Sequence, residues 1–126
     1  MSYDFHLVCE QDPRLGLLAK ASAQFEDKFT LAAVEGSEHL VLGFNGEDLA
    51  LLNAPHRVPA GELGRIFGAR AAAQLPRGGW VAEVNCPADK DTAEAVRQFL
   101  IIAVAGTRGL VIDPQSNELI TADPGA

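Results

Sequence analysis

A chain of 126 residues has the length of one ordinary domain, and its 48% hydrophobic and 21% charged residues match globular usage, which excludes a disordered or fibrous protein. The net charge of -7, from 17 acidic and 10 basic side chains, opposes a phosphate backbone and sets nucleic acid aside as a partner. Arg57, Arg65, Arg70 and Arg77 stand against Glu62 alone in one stretch, so the acidic excess lies in the rest of the chain. Solubility and local ion pairing account for such unevenness; its functional reading is steering of a basic partner to the acidic part.

The chain opens with alternation: Tyr3, Phe5, Leu7 and Cys9 on one face, Asp4, His6, Val8 and Glu10 on the other, the period of a half-buried strand. Asp12-Pro13 supplies a helix N-cap and first position, and Leu15, Leu18, Ser22 and Phe25, with Leu17 and Ala21, give the following helix a stripe that covers a sheet. The runs Phe29 to Val34, His39 to Phe44 and Glu47 to Leu52 form an antiparallel meander, with Asn45-Gly46 as a type I′ turn. Asn53 to Pro59 reads as an irregular connection, because Pro55 and Pro59 donate to no ladder.

Leu63, Ile66, Phe67 and Ala71 give 60–75 a helical period, against the cost of Gly61, Gly64 and Gly68. Trp80 to Val84 alternates as a strand, and a solitary tryptophan there reads first as core. Asp91 with Glu94 suggests a capping box, opening a helix whose core face is Ala93, Val96, Leu100, Ala103 and Val104 and whose end is Gly106. Ile101 and Ile102 make its second half apolar nearly all round, which predicts the most buried helix. Leu110 to Ile112 and Leu119 to Thr121 flank an Asp113-Pro114 turn as a terminal hairpin, and 122–126 reads as a frayed tail. The expected fold is one α+β domain over 1–126: two layers, a mainly antiparallel sheet of five to seven strands, and two or three helices packed on it.

Chemistry-bearing patterns are sparse. Neither phosphate-binding glycine spacing occurs, the serines lack the G-x-S-x-G elbow, and His6, His39, His56, Cys9 and Cys86 lack zinc-ligand spacing. No metal or cofactor is implied. Cys9 and Cys86 sit in apolar strand-like runs and read as inert buried thiols. The acidic pairs Glu26-Asp27 and Glu47-Asp48 read as solvated loop charges. The start of the chain lacks a basic segment before its apolar stretch, and the longest apolar run, Phe99 to Ala105, is far short of the roughly 20 residues of a membrane span. A cytoplasmic protein with no membrane partner is expected.

The meander brings the loop 53–59 beside the turn 35–38, which gathers Glu35, Glu38, His56 and Arg57 at one end of the sheet. That set suits the polar rim of a protein interface, and these four are the candidate partner-binding residues. Acid–base chemistry by His56, Arg57 and the carboxylates is the enzymatic alternative.

The C-terminal third, Ala105-Gly106-Thr107-Arg108-Gly109-Leu110-Val111-Ile112-Asp113-Pro114-Gln115 and then Glu118-Leu119-Ile120, resembles the ending of small bacterial α/β immunity proteins: a final helix followed by a Gly-x-x-x-Asp-Pro-Gln hairpin. The resemblance implies a non-enzymatic partner that neutralises a cognate toxin or type VI secretion effector by occluding it, and it transfers no catalytic residue. An acidic surface suits a basic effector cleft. A small intracellular adaptor or ligand-binding domain is the alternative.

Overall fold

The computed structural model describes residues 2–25, 28–113 and 119–121. Strand β1 (Ser2–Cys9) runs through the middle of the sheet; β2 (Phe29–Ala33), β3 (Leu40–Phe44) and β4 (Glu47–Leu52) form the meander expected from their alternation. Asn45 and Gly46 take φ of 50° and 86°, the pair of positive angles that a type I′ turn demands. The other strands are β5 (His56–Val58), β6 (Gly79–Pro87), β7 (Leu110–Ile112) and β8 (Leu119–Thr121), and the helices are α1 (Leu17–Gln24), α2 (Ala60–Phe67), α3 (Ala69–Gln74) and α4 (Lys90–Val104). Seven strands lie abreast in the order β2-β3-β4-β6-β1-β7-β8, every pairing antiparallel, and β5 pairs with β6 beyond the end of β4.

Helices α1 and α4 pack together on one face of this sheet. There the alternation pays out as expected: Phe5, Leu7 and Cys9 of β1, Leu42 of β3, Leu52 of β4 and Val84 of β6 are all buried against Val96, Phe99 and Leu100 of α4. Phe29 sits within 4.7, 4.8 and 4.9 Å, ring centre to ring centre, of Phe25, Phe44 and Phe99, so an aromatic cluster closes the meander side of the core. Each such side chain contributes about 1.5–3 kcal/mol by leaving water.

A smaller cluster lies on the reverse face, where Val8, Val81 and Leu110 meet Val58 and the residues Leu63, Ala71 and Leu75 of the α2–α3 segment. Val8 belongs to the outward set of β1 by alternation, and it is buried because these helices cover that end of the outward face. The single helix expected over 60–75 is two. Gly68, at φ 98°, breaks it, since that angle is strained for any residue with a Cβ and α-helical geometry is lost there.

Three local expectations are corrected. The irregular connection 53–59 contains β5, because the two prolines bracket His56–Val58 instead of interrupting it, leaving the strand free to pair with Gly79–Val81. The helix expected from Asp12-Pro13 begins as a 3-10 turn (Pro13–Leu15), with Asp12 accepting from the Arg14 N–H, and α1 starts afresh after Gly16. The N-cap of α4 is Asp89, whose carboxylate accepts from the N–H and hydroxyl of Thr92; Asp91 lies inside the first turn. Glu94 turns away from the cap and accepts from Gln98. Helix α4 is the most buried of the described helices, as its apolar second half predicts, with Ala93, Val96, Phe99, Leu100, Ala103 and Val104 buried and Ile102, 37% exposed, on its outer side. The turn 114–118, the tail 122–126 and the Glu26-Asp27 pair lie outside the described residues.

Candidate functional site

Beyond the area covered by α2 and α3, the reverse face of the sheet is open. Strand registers set its occupants: Asp4 lies opposite Asn85, His6 opposite both Glu83 and Ile112, and Leu51 opposite Asn85. The side chains are tied together across two strands and a loop. Asn85 donates to Asp4 Oδ1 at 2.7 Å and to Glu83 Oε1 at 2.7 Å, and accepts from Asn53 Nδ2 at 2.6 Å. Asn53 also donates to the Glu83 carbonyl at 3.0 Å, and its own N–H reaches the same oxygen at 2.9 Å. His6 Nε2 stands 4.0 Å from Glu83 Oε2 and its ring lies 5.4 Å from that of Phe67 in α2.

Asn85 thus fixes both carboxylates, Asp4 half-buried on β1 and Glu83 exposed on β6, and His6 stands beside the second of them. Apolar ground surrounds them: Val41, Leu51 and Phe67 are half-buried, and Ile66 beside Phe67 is 51% exposed. Fixed charges beside partly exposed apolar side chains make a surface suited to a protein partner, because groups ordered beforehand lose less freedom on binding.

The four sequence-predicted residues are divided. His56 shares the reverse face with Val58, exposed at its border. Arg57 points the other way and is committed to the chain, donating to the Arg77 carbonyl at 2.6 Å. Glu35 and Glu38 sit exposed in the β2–β3 turn, where Glu38 Oε2 lies 3.9 Å from Arg14 Nη1. Among the described residues, no hydrogen bond or ion pair joins Glu35 or Glu38 to His56 or Arg57. The loop and the turn do meet, through a histidine outside the predicted set: His39 Nδ1 accepts from the Ala54 N–H at 2.8 Å.

A separate cleft of about 340 Å³ opens at the end of β1, lined by Cys9, Glu10, Gln11, Asp12, Leu17, Gly106 and Thr107. Asp12 is its buried charged residue, 9% exposed and gripped by Arg14 Nε at 3.0 Å and Nη2 at 2.6 Å. That grip holds the Asp12 carboxyl below the usual carboxylate range. Burial pushes the Cys9 thiol up to about 12, and the Asp12 carboxylate adds to the rise. Cys86 is also raised, by burial first and by Asp4 second. Neither thiol is poised as a nucleophile. No group of three or more His, Cys, Asp or Glu side chains arranged to hold a metal ion occurs among the described residues, and no helix among them is long and apolar enough to cross a membrane.

The fold and this face define an antiparallel α+β sheet protein with a half-covered reverse side. No protein-family model, curated protein or solved structure matches the chain.

Proposed function

We propose that the chain is a non-enzymatic binding protein of the immunity type, which neutralises a cognate toxin or effector by occluding it with the open part of the reverse face. The observation that carries this reading is the Asp4–Asn85–Glu83 arrangement: two carboxylates fixed by one amide, Glu83 exposed and Asp4 half-buried, with the partly exposed Leu51 opposite Asn85 and Phe67 against His6. The partner surface complementary to it is basic with an apolar centre. Charge on this face sets the rate of encounter, and the apolar flank sets the lifetime of the complex. The resemblance of the C-terminal third to immunity proteins agrees in kind.

His56 lies at the border of this surface, and Glu35 and Glu38 lie in the β2–β3 turn that meets the 53–55 loop, where they act by steering. The test is surface plasmon resonance of the purified chain with the product of the neighbouring reading frame, read as association and dissociation rates. A one-to-one complex is expected. Glu83→Lys lowers the association rate about tenfold at low salt, whereas Ile66→Ala acts on dissociation. Absence of a complex, or a complex indifferent to both substitutions, contradicts the proposal.

A further inference from the structure

Strand β2 ends the sheet, and its backbone shows which of its groups face outward. The Asn45 N–H bonds the Lys28 carbonyl and the Val34 N–H bonds the His39 carbonyl, so the even-numbered residues 28 to 34 turn their N–H and C=O toward β3. The odd-numbered residues turn theirs away. Phe29 confirms the direction, since its carbonyl accepts from the Ser22 hydroxyl of α1, outside the sheet. What remains is a free edge at Leu31 and Ala33, whose outward groups have no partner among the described residues.

Helix α1 covers this edge at Phe29 only, and past that point the strand carries no edge-blocking device. Phe29 to Val34 contains no charge and no proline, and no bulge interrupts its pairing with β3. Thr30, Ala32 and Ala33 are exposed, small or β-favouring, and Leu31 is half-buried beside them.

We infer that this edge pairs with the same edge of a second copy of the chain, antiparallel and centred on Ala32. The register follows from the backbone. With Ala32 on the two-fold axis, Leu31 exchanges both hydrogen bonds with Ala33 of the second copy, and the symmetric exchange uses the remaining groups. Ala32 then faces its own counterpart in a non-hydrogen-bonded pair, where strands bring side chains closest, and a methyl group fits there. A register centred on Leu31 would instead call on the Phe29 carbonyl, which Ser22 already occupies. In the Ala32 register Lys28 of one copy falls opposite Gly36 of the other and beside Glu35, so opposite charges flank the apolar centre at both ends. One strand pair covers less than the roughly 1,200 Å² of a stable interface, so the dimer is weak. Two chains of charge -7 also repel at long range, so added salt strengthens the pairing.

The inference is independent of the toxin-binding reading, and sedimentation equilibrium of the purified full chain tests it without any partner. The expected result is a mass that rises from 13.4 kDa toward twice that value as protein approaches about 1 mM and salt about 0.5 M, a range chosen for millimolar affinity. Ala33→Pro removes an outward N–H without touching the β3 ladder, and Ala32→Glu sets two like charges on the axis while keeping every N–H. Both keep the wild-type far-ultraviolet circular dichroism and sediment as monomers. Amide exchange at Leu31 and Ala33 slows with concentration in the wild type. A monomer under all these conditions, or a dimer that Ala32→Glu leaves intact, overturns the inference.

Discussion

Cys9 and Asp12 occupy the same cleft, and their charges are linked. The Arg14 guanidinium keeps Asp12 ionised, and the buried Cys9 beside that carboxylate stays a protonated thiol at neutral pH. Iodoacetamide at pH 8 is therefore expected to label Cys9 no faster than the chain unfolds, and labelling of the native protein at a free-thiol rate would contradict this. Asp12 has a pKa lowered on folding, so its contribution is complete above the ordinary carboxylate pKa and is lost as pH falls through the lowered value. Asp12→Ala should cost about 1–3 kcal/mol at neutral pH, as a buried acceptor of a charge-assisted bond is removed. The difference between variant and wild type in urea denaturation should shrink on acidification. Gly78 is constrained more tightly: at φ 85°, a Cβ would lie 2.5 Å from the Val58 carbonyl and 2.7 Å from Arg57 Nη1. Gly78→Ala should destabilise by about 1–3 kcal/mol, a strain magnitude for such backbone positions.

At the scale of elements, the two aspartates that open α4 separate cleanly. Asp89→Ala removes the side-chain cap on Thr92 and should lower the thermal midpoint. Asp91→Ala should stay within about 0.5 kcal/mol, the usual range for an exposed position. Thermal denaturation of the two variants compares them directly, and equal losses would contradict the assignment. Sequence reading chose Asp91 because a glutamate follows three residues later; Asp89 has Thr92 at the same spacing, and one-dimensional pattern does not rank the two. The meander, its Asn-Gly turn, the core face of α4 and the terminal hairpin were legible because each rests on local period or turn chemistry. Strand β5 was not, since its three residues owe their conformation to Gly79–Val81, far along the chain. Nor was the surface: Asp4 and Asn85 are 81 positions apart, and only the β1–β6 register brings them into contact. His39 heads a strand run in the sequence whereas His56 falls in the loop 53–59, and only the fold shows that His39 ties loop to turn.

On the scale of the whole molecule, the sheet has one face packed against α1 and α4 and one partly covered by α2 and α3. The face under α1 and α4 supplies stability; the uncovered part of the other face, with Asp4, Asn85 and Glu83, is the surface on which the proposed binding rests. This division gives stability and binding separate residues, so a substitution on the open face should alter association without unfolding the chain. Leu100→Ala, in contrast, should cost about 2–5 kcal/mol through the cavity it leaves. Ionic strength offers a second handle, because an acidic face that steers a basic partner loses its advantage as salt screens it.

The most direct measurement of the proposed function is growth of cells expressing the neighbouring reading frame's product together with this chain, compared with cells expressing it with Glu83→Lys. The account predicts that the neighbour's product arrests growth alone, that the wild-type chain restores growth, and that Glu83→Lys, folded to the same thermal midpoint, restores it poorly. A neighbour that is harmless alone, a toxic neighbour that the wild-type chain leaves active, or full rescue by Glu83→Lys would contradict it.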